Sequence, residues 1–236
     1  MALRHVQVTS VCRSVKKKGE DTHATLDADI GGELVYLSMV ADGHGGAAAA
    51  EQCRSELLAD IVAEAQDSAP DELTRAIHTC FVAIHERIRA TTDSGAACTV
   101  VAIVASTGAV TCANSGDVLA VGFSPANSHP LHLAMSHRLE ERGSRTTESD
   151  RVITAGGKIG RAKHPASGKP CGPLRAWPGG LSMGRVRPSQ RSNSPRLGGA
   201  PSSLPTIPPP ACSPAPILPS RALLPARTVT RRRRLR

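Results

Sequence analysis

The 236-residue chain carries 29 basic and 20 acidic residues, a formal charge of +9 that is spread unevenly. Every acid lies at or before Asp150, while residues 186–236 hold 10 Arg, no Lys and no acid, so residues 1–185 are close to neutral. No stretch approaches the roughly 18 apolar residues of a membrane helix, the N-terminus has no apolar run suited to a secretory signal, and no repeat of about 20–50 residues is visible.

In chain order, Val6, Val8 and Val11 alternate and predict a strand over residues 6–12. Residues 33–41, with Leu34-Val-Tyr-Leu-Ser-Met-Val-Ala41, predict a buried strand that ends in the glycine-rich loop Asp42-Gly-His-Gly-Gly46. From Ala47 a helix is predicted, with Cys53, Leu57, Leu58, Ile61, Val62 and Ala65 on its apolar stripe. Pro70 opens a second helix, with Asp71 and Glu72 in its first turn. Leu73, Ile77, Cys80, Phe81, Ile84 and Ile88 form its inner face, and Asp93-Ser-Gly95 ends it. Strands follow over 98–105, 110–114 and 118–123, then a short helix over 148–155 that stops at Gly156-Gly157. After Lys158 turn formers rise, and after Arg185 all pattern disappears. Paired helices between groups of hairpin-type strands predict an α+β sandwich rather than βαβ alternation.

Two segments result. Residues 1–185 form the working domain, large enough for one core. Residues 186–236 hold 11 of the 18 prolines and no aromatic, too little apolar surface to offset the entropy of ordering, and are expected to be a disordered tail. The seven cysteines, at 12, 53, 80, 98, 112, 171 and 212, form no Cys-x-x-Cys pair. An odd count without a secretory signal predicts reduced thiols in an intracellular, cytoplasmic or nuclear protein.

The strongest chemical signal is Asp42-Gly-His-Gly-Gly46 directly after a buried strand. A carboxylate at a strand end is rigid and partly desolvated, which is costly for a bare anion and suits a divalent cation. Gly43 has no side chain, so its carbonyl can face the same ion. Upstream, Glu20 and Asp21 put two more carboxylates at the end of another strand region, and one of them can reach the ion through water. Asp-Gly alone is a common turn; five such residues between a strand and a helix are more specific.

These motifs resemble the metal-dependent protein serine/threonine phosphatases of type 2C, the PPM family. The resemblance runs collinearly through Glu20-Asp21, Val40-Ala-Asp42-Gly-His-Gly-Gly46, Ser94-Gly-Ala-Ala-Cys-Thr-Val-Val101, Ala113-Asn-Ser-Gly-Asp117, Met135-Ser-His137, Glu148–Gly157 and Gly172–Arg185. It implies an αββα sandwich with two Mg²⁺ or Mn²⁺ ions and a water that attacks phosphorus. It further implies that Asp42 bridges both ions, that Gly43 lends its carbonyl and that Glu20 acts through water. His44 would protonate the leaving serine or threonine oxygen, and Asp117 would serve a third, weaker site. Lys16 stands where the family holds phosphate with Arg, and lacks the bidentate fork; Arg13 is the alternative. Ser136 replaces an Asp before His137.

The resemblance stops at Arg185. The family pattern continues with Gly-Asp and, later, Asp-Asn, whereas this chain has no acid after Asp150. Two metal carboxylates are therefore expected to be absent, the sandwich incomplete on its C-terminal side, ion binding weak and this chain impaired. The expected partner is a phosphoprotein substrate, with no membrane partner and a monomeric state. A catalytically inactive phosphatase-like binding module is the alternative. A nucleic-acid role would rest on Arg231–Arg234 alone, without aromatics to stack bases. The tail's composition also suits translation of a GC-rich intron or a shifted frame.

Overall fold

The computed structural model describes residues 6–13, 18–66, 72–123, 129–141, 143–177 and 180–185. The apolar run Leu34–Ala41 becomes the second strand, β2 (Glu33–His44). It pairs antiparallel with β1 (Thr22–Ile30) on one side and β3 (Gly95–Val104) on the other. β4 (Val110–Ser115) completes a sheet of order β1-β2-β3-β4.

Side chains alternate across this sheet with period two. Val35, Leu37, Met39 and Ala41 of β2, with Cys98, Val100, Ala102 and Val104 of β3, point to one face and are buried. The helices cover that face. They are α1 (Ala48–Gln52), a π-helical turn (Cys53–Leu57), α2 (Leu58–Ala65) and α3 (Leu73–Thr91). Leu57, Leu58 and Ile61 pack there with Leu73, Ile77, Cys80, Ile84 and Ile88. Each large apolar side chain so buried contributes about 1.5–3 kcal/mol before entropy is counted.

Side chains also tie α1 to the sheet. The Ser94 hydroxyl accepts from the Ala49 N–H at 2.9 Å, and the buried Thr22 hydroxyl donates to the Ala50 carbonyl at 3.0 Å.

Beyond β4 the chain forms small ribbons: β5 (Val121–Gly122) with β6 (Leu131–His132), and β7 (Glu140–Glu141) with β8 (Ser144–Arg145). Helix α4 (Thr147–Thr154) is capped by the Thr146 hydroxyl, and β9 (Lys158–Lys163) pairs with β10 (Pro170–Trp177). The predicted α+β class is observed. Among the described residues, the helix layer and the four-stranded sheet are the first two layers of the expected αββα sandwich, and the other strands make two-stranded ribbons.

Three expectations are corrected. Residues 6–12 are not a strand; the Val6 N–H merely donates to the Ala105 carbonyl at 2.8 Å. β1 was not anticipated, because its inward residues include the small Ala24 and Ala28 and its outward ones are His23, Thr25, Asp27 and Asp29. The turn-rich stretch after Lys158 is the β9–β10 hairpin. Lys16, Pro70 and the tail 186–236 lie outside the described residues.

Candidate metal centre

Asp42 and His44 lie on the sheet face opposite the helices, in line with Leu34 and Val40. β2 is still paired at this point: Asp42, Gly43 and His44 face Ala97, Ala96 and Gly95 of β3. The carboxylate therefore sits on a fixed strand, not on a loop. Gly45 and Gly46, at φ 73° and 123°, then turn the chain into α1, a conformation that L side chains resist.

The β1–β2 register brings the second carboxylate to the first. Thr22 pairs with Ala41, so the residue before Thr22 arrives beside the residue after Ala41. Asp21 accordingly shares a hydrogen bond with Asp42. The two acids Glu20 and Asp21 precede a strand rather than ending one, which corrects the expectation. Glu20 backs onto Gly43 so closely that a Cβ on Gly43 would press into the Glu20 carbonyl oxygen and lie 3.2 Å from its carbon and Cβ. The Glu20 carboxylate accepts from the Gly46 N–H at 2.9 Å.

The Asp42 carboxyl is held above the ordinary carboxylate range. Partial desolvation is the largest cause, followed by the charges of Asp21 and Asp117 and the hydrogen bond with Asp21; His44 pulls the other way. Asp42 is nonetheless open to solvent on its free side. It is a carboxylate crowded by its own kind, at a place a solvated cation can reach.

Asp117 approaches from the turn after β4. Its side chain is 11% exposed, and Arg138 donates to it at 3.0 Å. The turn itself is pinned by Asn114, whose amide donates to the carbonyls of Gly116 and Met135 at 3.1 and 3.0 Å. His137 Nδ1 accepts from the Gly116 N–H at 3.0 Å. Burial, then the Arg185 charge, pushes His137 down to about 4, so it stands as a neutral acceptor. The hydroxyl of Ser136 and Asn114 Oδ1 are buried with no hydrogen-bond partner among the described residues.

Below this turn lies an ion cluster that joins side chains from separate motif segments. Glu148, buried, accepts from Arg151 at 2.9 and 2.6 Å and from Arg185 at 3.4 Å. Burial alone would raise its carboxyl; the hydrogen bonds and charge of Arg151, with the charge of Arg185, outweigh it and hold the group low. The i,i+3 spacing of Glu148 and Arg151 was a readable signal. Nothing local marked Arg138.

Of the predicted residues, Glu20, Asp21, Asp42, Gly43 and His44 gather at one strand end, with Asp117 within electrostatic reach. Arg13 is exposed, and Lys16 is outside the described residues. Among the described residues no group of three His, Cys, Asp or Glu side chains is arranged to hold a metal ion. Asp21, Asp42 and the Gly43 carbonyl match one hard dication in donor chemistry, with water completing its shell. They do not fit a closed two-ion set, because Glu20 is engaged by Gly46 and Asp117 by Arg138.

Comparison with known proteins bears on this arrangement. The family model for Protein phosphatase 2C matches residues 6–172. Probable protein phosphatase 2C 12 of Arabidopsis thaliana is 35% identical over 153 residues, 61% of this chain and 33% of that protein. Probable protein phosphatase 2C 40 of Oryza sativa subsp. japonica is 31% identical over 189 residues, 76% and 39% respectively. A solved structure of a C. elegans sex determining protein aligns with a TM-score of 0.56 at 22% identity, over 73% of this chain and 41% of that one, a likeness of fold. The chain thus spans about a third of the length of the curated relatives it matches.

Proposed function

From its membership of the protein phosphatase 2C family, we propose that this chain carries the Asp42 centre of a metal-dependent protein phosphatase acting on phosphoserine and phosphothreonine. The observation that carries the reading is the carboxyl of Asp42, crowded by Asp21 and Asp117 at a rigid strand end, with His44 two residues on along the same face. Repulsion among these acids favours a cation over an empty seat. Oxygen donors select Mg²⁺ or Mn²⁺ over softer ions.

An ion bound there would lower the pKa of a bound water and polarise the phosphoryl oxygens. The chain's own residues do the rest. Asp21 and Asp42 would hold the ion, the backbone packing of Gly43 on Glu20 keeps them in register, and His44 on the same face would serve the leaving oxygen as general acid. The substrate is a phosphoprotein, and the working unit a monomer. Among the described residues no helix is long and apolar enough to cross a membrane.

A second reading, a phosphatase-like binding module without turnover, is favoured by the engagement of Glu20 with Gly46 and of Asp117 with Arg138. One experiment separates the two: the 236-residue chain, a phosphoserine peptide and Mn²⁺. Weak turnover is expected, roughly a hundredfold or more below a relative with a complete carboxylate set, and lost in Asp42→Ala. Turnover that survives Asp42→Ala refutes the site. Mn²⁺ binding with no turnover at all establishes the second reading.

A further inference from the structure

On the helix face of the sheet, behind the carboxylates, two thiols meet. Cys53 opens the π-helical turn, and Cys98 lies on β3 opposite Ala41, next to Asp42's pairing partner Ala97. Both side chains are buried and belong to the same apolar cluster, and each shifts the titration of the other. Both also line one small, partly open pocket, together with Phe81, His85 and Arg185. Departures from regular α-helix such as this π turn often mark functional positions.

We propose that Cys53 and Cys98 form a peroxide-sensitive dithiol that closes to an intramolecular disulfide joining the π turn to β3. The Cys53 thiolate attacks a hydroperoxide oxygen. The O–O bond breaks, the alcohol or water leaves with the proton Cys53 released, and Cys53 becomes a sulfenic acid. The Cys98 sulfur then attacks the Cys53 sulfur. The S–O bond breaks, and hydroxide leaves with the Cys98 proton as water. The two thiols together lose two electrons and two protons, and the hydroperoxide is reduced.

The surroundings favour this pair over the other thiols. Cys98 holds the Cys53 thiol below its ordinary value, whereas Cys53 and burial push Cys98 well up, so the first proton leaves from Cys53. Cys80 is pushed up to about 11, by burial and then by Asp60 and Glu64. Burial also raises Cys112. Cys12 and Cys171 are exposed and lie outside this cluster. Cys53 and Cys98 wall the same small pocket, so closing to the roughly 2.05 Å of a disulfide draws the π turn and β3 together across it. That movement pulls on α1, which begins where the Gly45-Gly46 turn leaves the Asp42 strand.

The test is chemical and independent of phosphatase activity. The full chain, with Cys12, Cys171 and Cys212 replaced by Ser, is treated with hydrogen peroxide, alkylated and mapped by mass spectrometry. A loss of about 2 Da and one peptide pair joining Cys53 to Cys98, both reversed by dithiothreitol, are expected. Cys98→Ala should stop at a sulfenic acid on Cys53 that dimedone captures, and Cys53→Ala should give neither product. A disulfide to Cys80 or Cys112, sulfinic acid without a disulfide, or no reaction at Cys53 overturns the proposal. If an alanine variant fails to fold, the map of the chain with both core thiols intact decides the matter.

Discussion

Gly43→Ala perturbs the contact on which the carboxylate centre is built. A methyl at Gly43 would sit nearer the Glu20 carbonyl oxygen than the 3.0 Å that Cβ atoms respect, and 3.2 Å from the Glu20 carbonyl carbon and Cβ. The obstacle is backbone, so no rotamer change relieves it. Either the end of β2 or the segment before β1 must move back by several tenths of an ångström. Overpacking of this kind costs about 1–3 kcal/mol, and the lower chain entropy of unfolded Ala returns about 0.4–1 kcal/mol. The net loss is about 1–2 kcal/mol, which for a domain of this size lowers the thermal midpoint by about 2–8 °C. Gly160→Ala is the control: Gly160 lies in β9, and a Cβ there meets nothing within 4 Å. Differential scanning calorimetry should show a clear fall for Gly43→Ala and no fall for Gly160→Ala. The displacement also separates Asp21 from Asp42, so the stabilisation by Mn²⁺ should shrink. A Gly43→Ala midpoint within a degree of the parent would refute the reasoning.

Other expectations follow from the charged groups. The Asp42 carboxyl titrates above its unfolded value, so the folded chain keeps a proton that the unfolded chain has released, and stability falls as pH rises through that window. Asp42→Asn should flatten this fall, raise the midpoint at pH 7 in chelator and abolish any midpoint gain from Mn²⁺; a lower midpoint in chelator would contradict the crowding. His137 is shifted the opposite way for a base, from 6.5 to about 4, so its contribution is present above 6.5 and is lost as pH falls toward 4. Its imidazole should read as neutral by NMR at pH 5.5, and a titration midpoint near 6.5 would show that the ring is not buried beside Arg185. Glu148 is held low, so its contribution is present above the ordinary Glu value and is lost as pH falls through the folded one. Glu148→Gln should cost about 1.5–3 kcal/mol at pH 7, since it leaves Arg151 and Arg185 with a neutral partner; an unchanged urea midpoint would refute this.

The site's members were legible in the sequence because their signals are local. Asp42-Gly-His-Gly-Gly46 announces itself as a polar, glycine-rich break directly after a hydrophobic run, although only Gly45 and Gly46 leave the strand, and the helical stripe of Leu73, Ile77, Cys80, Ile84 and Ile88 is set by the 3.6-residue period. The register between β1 and β2 was not legible: the small inward residues of β1 carry too little apolar contrast to mark a strand, so nothing local foretold that Asp21 would meet Asp42. The same holds for Arg138 on Asp117, Arg185 on Glu148 and Cys53 on Cys98, pairs separated by 21, 37 and 45 positions along the chain. Local sequence fixes which backbone shapes are cheap. Which charges and sulfurs end up together depends on how the sheet and helices close over one core, and the energy that decides it comes from burial shared by residues far apart in the chain.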